Sequence, residues 1–192
     1  MRRTSRILGI AVTLAAVSLG AAASAQTPSR AVVERALSGF EHAPDADTLR
    51  GWGPGGAQPL MEVAADAAVI PATRARALHA LARWGSDAGV RAFLEATARR
   101  DGQSLLLLRA SLDALVEGCG DLLTAGSFLD DGRPEVRDAA AWALQRTADP
   151  AARALLAVRL RSEQDPVVRR TLSDALRPAT VAPPSAPAHA VR

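Results

Sequence analysis

PEVRDAAAWAL, residues 134–144, is echoed by PVVRRTLSDAL, residues 166–176. Both begin with proline, carry Val-Arg at the third and fourth places and close on Ala-Leu, and their closing leucines, Leu144 and Leu176, lie one repeat apart. At 100° per residue, Val136, Ala140, Ala143 and Leu144 gather on one face of a helix. Trp142 falls at about 240° from Val136, nearly opposite that stripe. The bulky residue in an alanine run is therefore predicted to point away from the core.

Working outward, Leu49, Leu81 and Leu115 precede the same anchor position, spaced by 29 to 34 residues along the chain. LRGWG at 49–53 matches LARWG at 81–85. Each anchor is expected to close one amphipathic helix. A second helical segment precedes each of the later ones, at 59–67, 89–100, 121–131 and 150–165. In these segments apolar residues recur every three to four places, with Gly, Pro and Asp at the joins. Pro134 and Pro166 sit where a first helical turn needs no N–H. No useful length alternates at period two, so no sheet is expected. One such helix pair cannot bury its own apolar stripe, so neighbouring pairs must stack and cover each other.

The repeat resembles the HEAT-repeat family, in particular the short bacterial HEAT-like units of the PBS-lyase type that read roughly D-P-x-V-R-x-x-A-x-x-A-L. Asp165, Pro166, Val168, Arg169, Ala175 and Leu176 carry the resemblance best, followed by Pro134, Val136, Arg137, Ala140, Ala143 and Leu144. The unit anchored at Leu115 departs from it, with Leu107-Leu108 where Val-Arg is expected and Arg109 one place late, whereas Thr73-Arg74 keeps the arginine. The expected class is all-α: an α-α superhelix, a HEAT-like solenoid, of four to five antiparallel helix pairs. The expected organisation is a signal peptide over 1–25, N-terminal capping helices over 26–53, the solenoid over 54–177 and a disordered Pro/Ala-rich tail over 178–192.

In HEAT-like proteins the second helix of each pair lines the concave surface. The resemblance therefore places His79, Asp113, Trp142 and Asp174, two before each anchor, along a groove where such solenoids bind. Arg109, Asp138 and Arg170 stand beside them at one level, and Val116, Gln145 and Arg177 at another. The expected partner-binding set is His79, Arg109, Asp113, Asp138, Trp142, Gln145, Arg170 and Asp174. Trp52 and Trp84 rotate back into the stripe and are expected to be core. As neighbours across two units His79 and Asp113 could act as acid and base, but they are read as a polar pair on a solvated face.

Arg2, Arg3 and Arg6 followed by the apolar run Ile7–Leu19 and by Ala23-Ser-Ala25 have the layout of a secretory signal cut after Ala25. The apolar run is shorter than the roughly 20 residues that span a bilayer. The expectation is a periplasmic or secreted protein with no stable membrane insertion after cleavage. Three of the 23 basic residues, all arginine, precede that cut and none of the 20 acidic ones does, leaving the remainder close to neutral. With Arg and acids interleaved, the basic field of a nucleic-acid binder is missing. Cys119 is the single cysteine, which rules out an intrachain disulfide and reads as a small, partly buried residue.

No phosphate loop, G-x-S-x-G elbow, H-E-x-x-H or Cys-x-x-Cys occurs. The deoxyhypusine hydroxylases, which share the resemblance, hold two irons with repeated His-Glu pairs; here only a reversed and solitary Glu41-His42 is found. No catalytic, metal or cofactor role is expected. The chain reads as a scaffold or adaptor for another protein, the alternative being an accessory or lyase-like protein handling a small ligand or pigment. Arg137 and Arg169 are expected to bond loop carboxylates such as Asp131 and Asp165 in a ladder between units, each worth on the order of 1–3 kcal/mol.

Overall fold

The computed structural model describes residues 27–39 and 44–177. The signal peptide, Glu41-His42 and the tail from 178 lie outside the described residues.

Among the described residues every regular element is helical. Helices α1 (Arg30–Ser38) and α2 (Ala46–Gly51) form the N-terminal cap. Four pairs follow: α3 (Ala57–Ala65) with α4 (Pro71–Leu81), and α5 (Ala88–Ala98) with α6 (Leu105–Cys119). Then come α7 (Leu122–Ser127) with α8 (Pro134–Gln145), and α9 (Pro150–Ser162) with α10 (Pro166–Leu176). The expected segments are thus all present, with two differences. The segment 121–131 breaks into short α7 and a 3-10 turn over Phe128–Asp130. Leu115 does not close its helix: α6 runs on to Cys119 and stops only where Gly120 takes φ 62°.

The starts follow from local chemistry. Proline occupies the first turn of α4, α8, α9 and α10. Asp87, Ser104, Asp149 and Asp165 accept backbone N–H groups as N-caps of α5, α6, α9 and α10. The C-terminal ends are served by arginines reaching across from neighbouring helices. Arg74 donates to the Ala64 carbonyl at 2.9 Å, Arg91 to that of Cys119 at 2.8 Å and Arg153 to that of Leu176 at 2.7 Å. Arg76 does the same for Leu37 and Gly39 beyond α1. Carbonyls that a helix leaves without an internal partner thereby gain charged donors.

The second helices α4, α6, α8 and α10 pack side by side in succession, while the first helices meet one another sparsely. That asymmetry makes the second helices the inner ladder of a superhelix. One apolar core runs the length of the stack, from Val33 and Leu37 through Leu81, Leu115 and Leu144 to Leu172. Val136, Ala140, Ala143 and Leu144 are all buried in it, as the rotation arithmetic requires. So are Trp52 and Trp84; the Trp84 indole donates to the Gly53 carbonyl at 3.0 Å, tying the first pair back to the cap.

Alanine and glycine let the inner helices approach closely. Gly85, just after α4, and Gly118, in the last turn of α6, face each other without side chains. A Cβ on Gly118 would lie 2.7 Å from the Ala82 carbonyl carbon, and one on Gly85 2.7 Å from the Cys119 nitrogen.

Thr73 occupies in α4 the register that Val136 and Val168 hold in α8 and α10. Its side chain is buried, and its hydroxyl has no hydrogen-bond partner among the described residues. Removing an unsatisfied buried hydroxyl relieves its desolvation cost. Thr73→Val is therefore expected to raise stability by about 1 kcal/mol in a denaturant titration; a lower midpoint would count against an unpaired hydroxyl.

Candidate functional site

The inner ladder carries the sequence-derived groove residues on α4, α6, α8 and α10. Trp142 projects from α8 with 53% of its surface exposed, against 8% for Trp52 and 9% for Trp84. Its neighbours in the helix, Ala141 and Ala143, are buried, whereas Arg146 one turn on shares its side of α8. Arg109, Asp113, Ala139, Trp142 and Arg146 line a shallow hollow of about 230 Å³ between α6 and α8. Ala139 provides a flat floor because a larger side chain there would fill the space between the helices.

Several groove residues meet. Arg109 on α6 bonds Asp138 on α8 at 3.1 Å, and the other Asp138 oxygen accepts from Thr171 on α10 at 2.7 Å. One carboxylate thus links three consecutive inner helices. The His79 Nε2 lies 4.0 Å from Asp113, so these two are neighbours across α4 and α6. Burial pushes the Asp113 carboxyl above its ordinary range, opposed by the nearby charges of His79, Arg146 and Arg109. Gln145, Arg170 and Asp174 stand outside the lining of the hollow; Asp174 pairs with Arg177 one turn on.

Two assignments need correcting. Val116, placed beside Gln145 and Arg177 on the groove, is buried, because α6 continues past Leu115 and its last turn packs against Ala82–Trp84. The arginine ladder also has different partners. Arg137 forms a two-pronged pair with Glu163, 2.8 Å from Nε and 2.7 Å from Nη2, and its remaining nitrogen bonds the Asp131 and Gly132 carbonyls. Arg169 bonds the carbonyl of Glu163 at 2.7 Å. The Asp131 carboxylate goes instead to Arg133, and that of Asp165 caps α10.

Glu163 is the residue that sequence reasoning missed. Its side chain is fully buried, and Arg137, Arg159 and the backbone N–H groups of Gln164 and Asp165 all bond it. Arg137 leads these in holding the carboxyl down at about 2. Arg146 was also missed: it pairs with Glu117 across α6 and α8 at the edge of the Trp142 hollow. Its place just beyond the closing Ala-Leu of the unit was the available signal.

A larger hollow of about 330 Å³ opens between the starts of α8 and α10, with Arg109, Glu135, Asp138 and Val167 on its walls. Among the described residues no group of three or more His, Cys, Asp or Glu is placed to hold a metal ion, and no helix is long and apolar enough to cross a membrane. Burial raises the Cys119 thiol pKa, away from a reactive thiolate.

Residues 122–177, the third and fourth helix pairs, match the family model described as HEAT repeats. Together with the stacked inner ladder, this gives an α-α superhelix whose third and fourth pairs match HEAT repeats. No curated protein and no solved structure matches the chain.

Proposed function

We propose that this protein is a non-catalytic scaffold or adaptor of the cell envelope, exported by its N-terminal signal segment, which binds another protein along its inner helices. The observation that carries the reading is Trp142, an exposed indole on the inner ladder that lines a hollow with Ala139 and charged side chains. A large apolar side chain left in water, with charged groups at its rim, has the composition of a binding hot spot. HEAT repeats commonly mediate protein–protein contact, which supports the same class of function. The small-ligand alternative has less to rest on. The hollows beside Trp142, between the starts of α8 and α10, and beside His79 are all open, and at about 230, 330 and 350 Å³ they lie at or near the lower end of the range of about 300–1,000 Å³ for small-molecule sites.

The test is crosslinking in the native envelope with wild type and Trp142→Ala. The variant should melt with wild type, because its indole is exposed, yet recover at least about tenfold less partner, as loss of a hot-spot anchor of about 2 kcal/mol implies. Equal recovery from the two proteins would remove Trp142 from the interface. Export is read separately, from the mature N-terminus: processing after Ala25 is the expected result.

A further inference from the structure

The inner face carries three carboxylates around the Trp142 hollow, and they are not alike. Asp138 is bonded by Arg109 and Thr171, and Glu117 by Arg146. Both arginines are thereby held against carboxylates other than Asp113, and they frame the hollow without filling it. Asp113 accepts no hydrogen bond among the described residues, and the nearest basic side chain is that of His79, whose Nε2 lies 4.0 Å away. Its side chain is only 19% exposed, so little water compensates the charge.

The local charge is therefore unbalanced, two arginines against three carboxylates, and the unmatched one lines the same hollow as the exposed indole. We infer that this hollow receives a basic side chain, lysine or arginine, from the bound protein, its cation lying on the Trp142 ring with Asp113 as counter-charge. An indole face attracts a cation, and a carboxylate in a poorly hydrated site strengthens the attraction. An acidic anchor would meet Asp113 as a like charge. An apolar one would cover the carboxylate and leave it without a partner. The volume of about 230 Å³ suits one side chain rather than a small-molecule ligand. This inference rests on the reading of the inner face as protein-binding.

The full chain is titrated with acetyl-Gly-Arg-Gly-amide and with its Lys and Glu counterparts, following the Trp142 indole N–H signal by NMR, assigned by its loss in Trp142→Phe. The Arg and Lys peptides should give saturable shifts in the millimolar range and the Glu peptide none, with Asp113→Asn weakening the basic peptides by about tenfold at unchanged melting temperature. Shifts of equal size with the Glu peptide, no shift with either basic peptide, or unchanged binding in Asp113→Asn would each overturn the inference. Envelope crosslinking then separates the two levels. Partner recovery lowered by both Trp142→Ala and Asp113→Asn supports the basic anchor. Recovery lowered by Trp142→Ala alone rejects it and keeps the protein-binding face, and recovery lowered by neither rejects both.

Discussion

Arg137→Ala is expected to lower stability by about 3 kcal/mol, because it strips a two-pronged partner from a carboxylate that is out of contact with water. Breaking a buried pair from one side costs about 3–5 kcal/mol in general. Arg159 and two backbone N–H groups still hold Glu163, which places this case at the lower end. At about 2–4 °C per kcal/mol for a domain of this size, the melting temperature should fall by about 6–12 °C. The variant also orphans the Asp131 and Gly132 carbonyls that Arg137 serves. A melting temperature within a degree of wild type would show that the pair does not join α8 to the following turn.

The same pair sets an acid limb. The Glu163 carboxyl is held at about 2 in the folded chain, below its ordinary 4.5, so the folded state binds its proton less readily than the unfolded one. Its contribution is complete above pH 4.5 and is lost as pH falls through about 2, an amount on the order of 3 kcal/mol. Arg137→Ala brings the folded value back toward the ordinary one, so the variant should lose less than wild type on acidification between those two values. Parallel curves of stability against pH would contradict the assignment of this limb to Glu163.

Gly118→Ala should cost about as much, on the order of 3 kcal/mol, by a different route. Gly118 lies inside α6 with ordinary helical φ, where alanine is normally favoured over glycine by about 1 kcal/mol. The sign is reversed here because the new Cβ runs into the Ala82 backbone rather than into a flexible side chain. Backbone atoms cannot rotate aside, so α4 and α6 must part, opening the apolar seam around Leu81 and Leu115. Gly51→Ala is the control: nothing lies near its would-be Cβ, and its stability should stay within about 0.5 kcal/mol of wild type or rise. A neutral Gly118→Ala in chemical denaturation would mean that the two helices are not in backbone contact.

The contrast between these residues shows what could be read in the sequence. Val136, Ala140 and Leu144 repeat at a helical period, so rotation alone sends them inward and Trp142 outward. Trp52 and Trp84 were legible from the same arithmetic. Glu163 was not: it stands three before Pro166 as Asp131 stands before Pro134, but it sits in a turn between helices and meets Arg137 only once two consecutive pairs have stacked. Gly118 looked like an ordinary helical glycine until the fold brought Ala82 against it. The hollow beside Trp142 depends on a floor residue, Ala139, and on an arginine beyond the closing leucine, Arg146; neither belongs to the row of equivalent positions. Periodic burial is written in one helix, whereas contacts between units depend on how far one helix slides along the next.

Leu107-Leu108, the departure in the unit anchored at Leu115, has a consequence for how the superhelix responds to its surroundings. Both leucines are buried, and the arginine displaced to position 109 reaches Asp138 from the surface. Between α8 and the turn before α10 the charged tie is Arg137 with Glu163, sealed from water. Between α6 and α8 the ties are Arg109 with Asp138 and Arg146 with Glu117, whose arginines are 45% and 49% exposed. Mobile counter-ions screen exposed pairs within about 8 Å at physiological ionic strength and leave buried ones nearly untouched. Added salt is therefore expected to weaken the charged ties at the seam beneath Trp142 more than the buried Arg137–Glu163 tie after it, while the apolar core that both seams share is left in place.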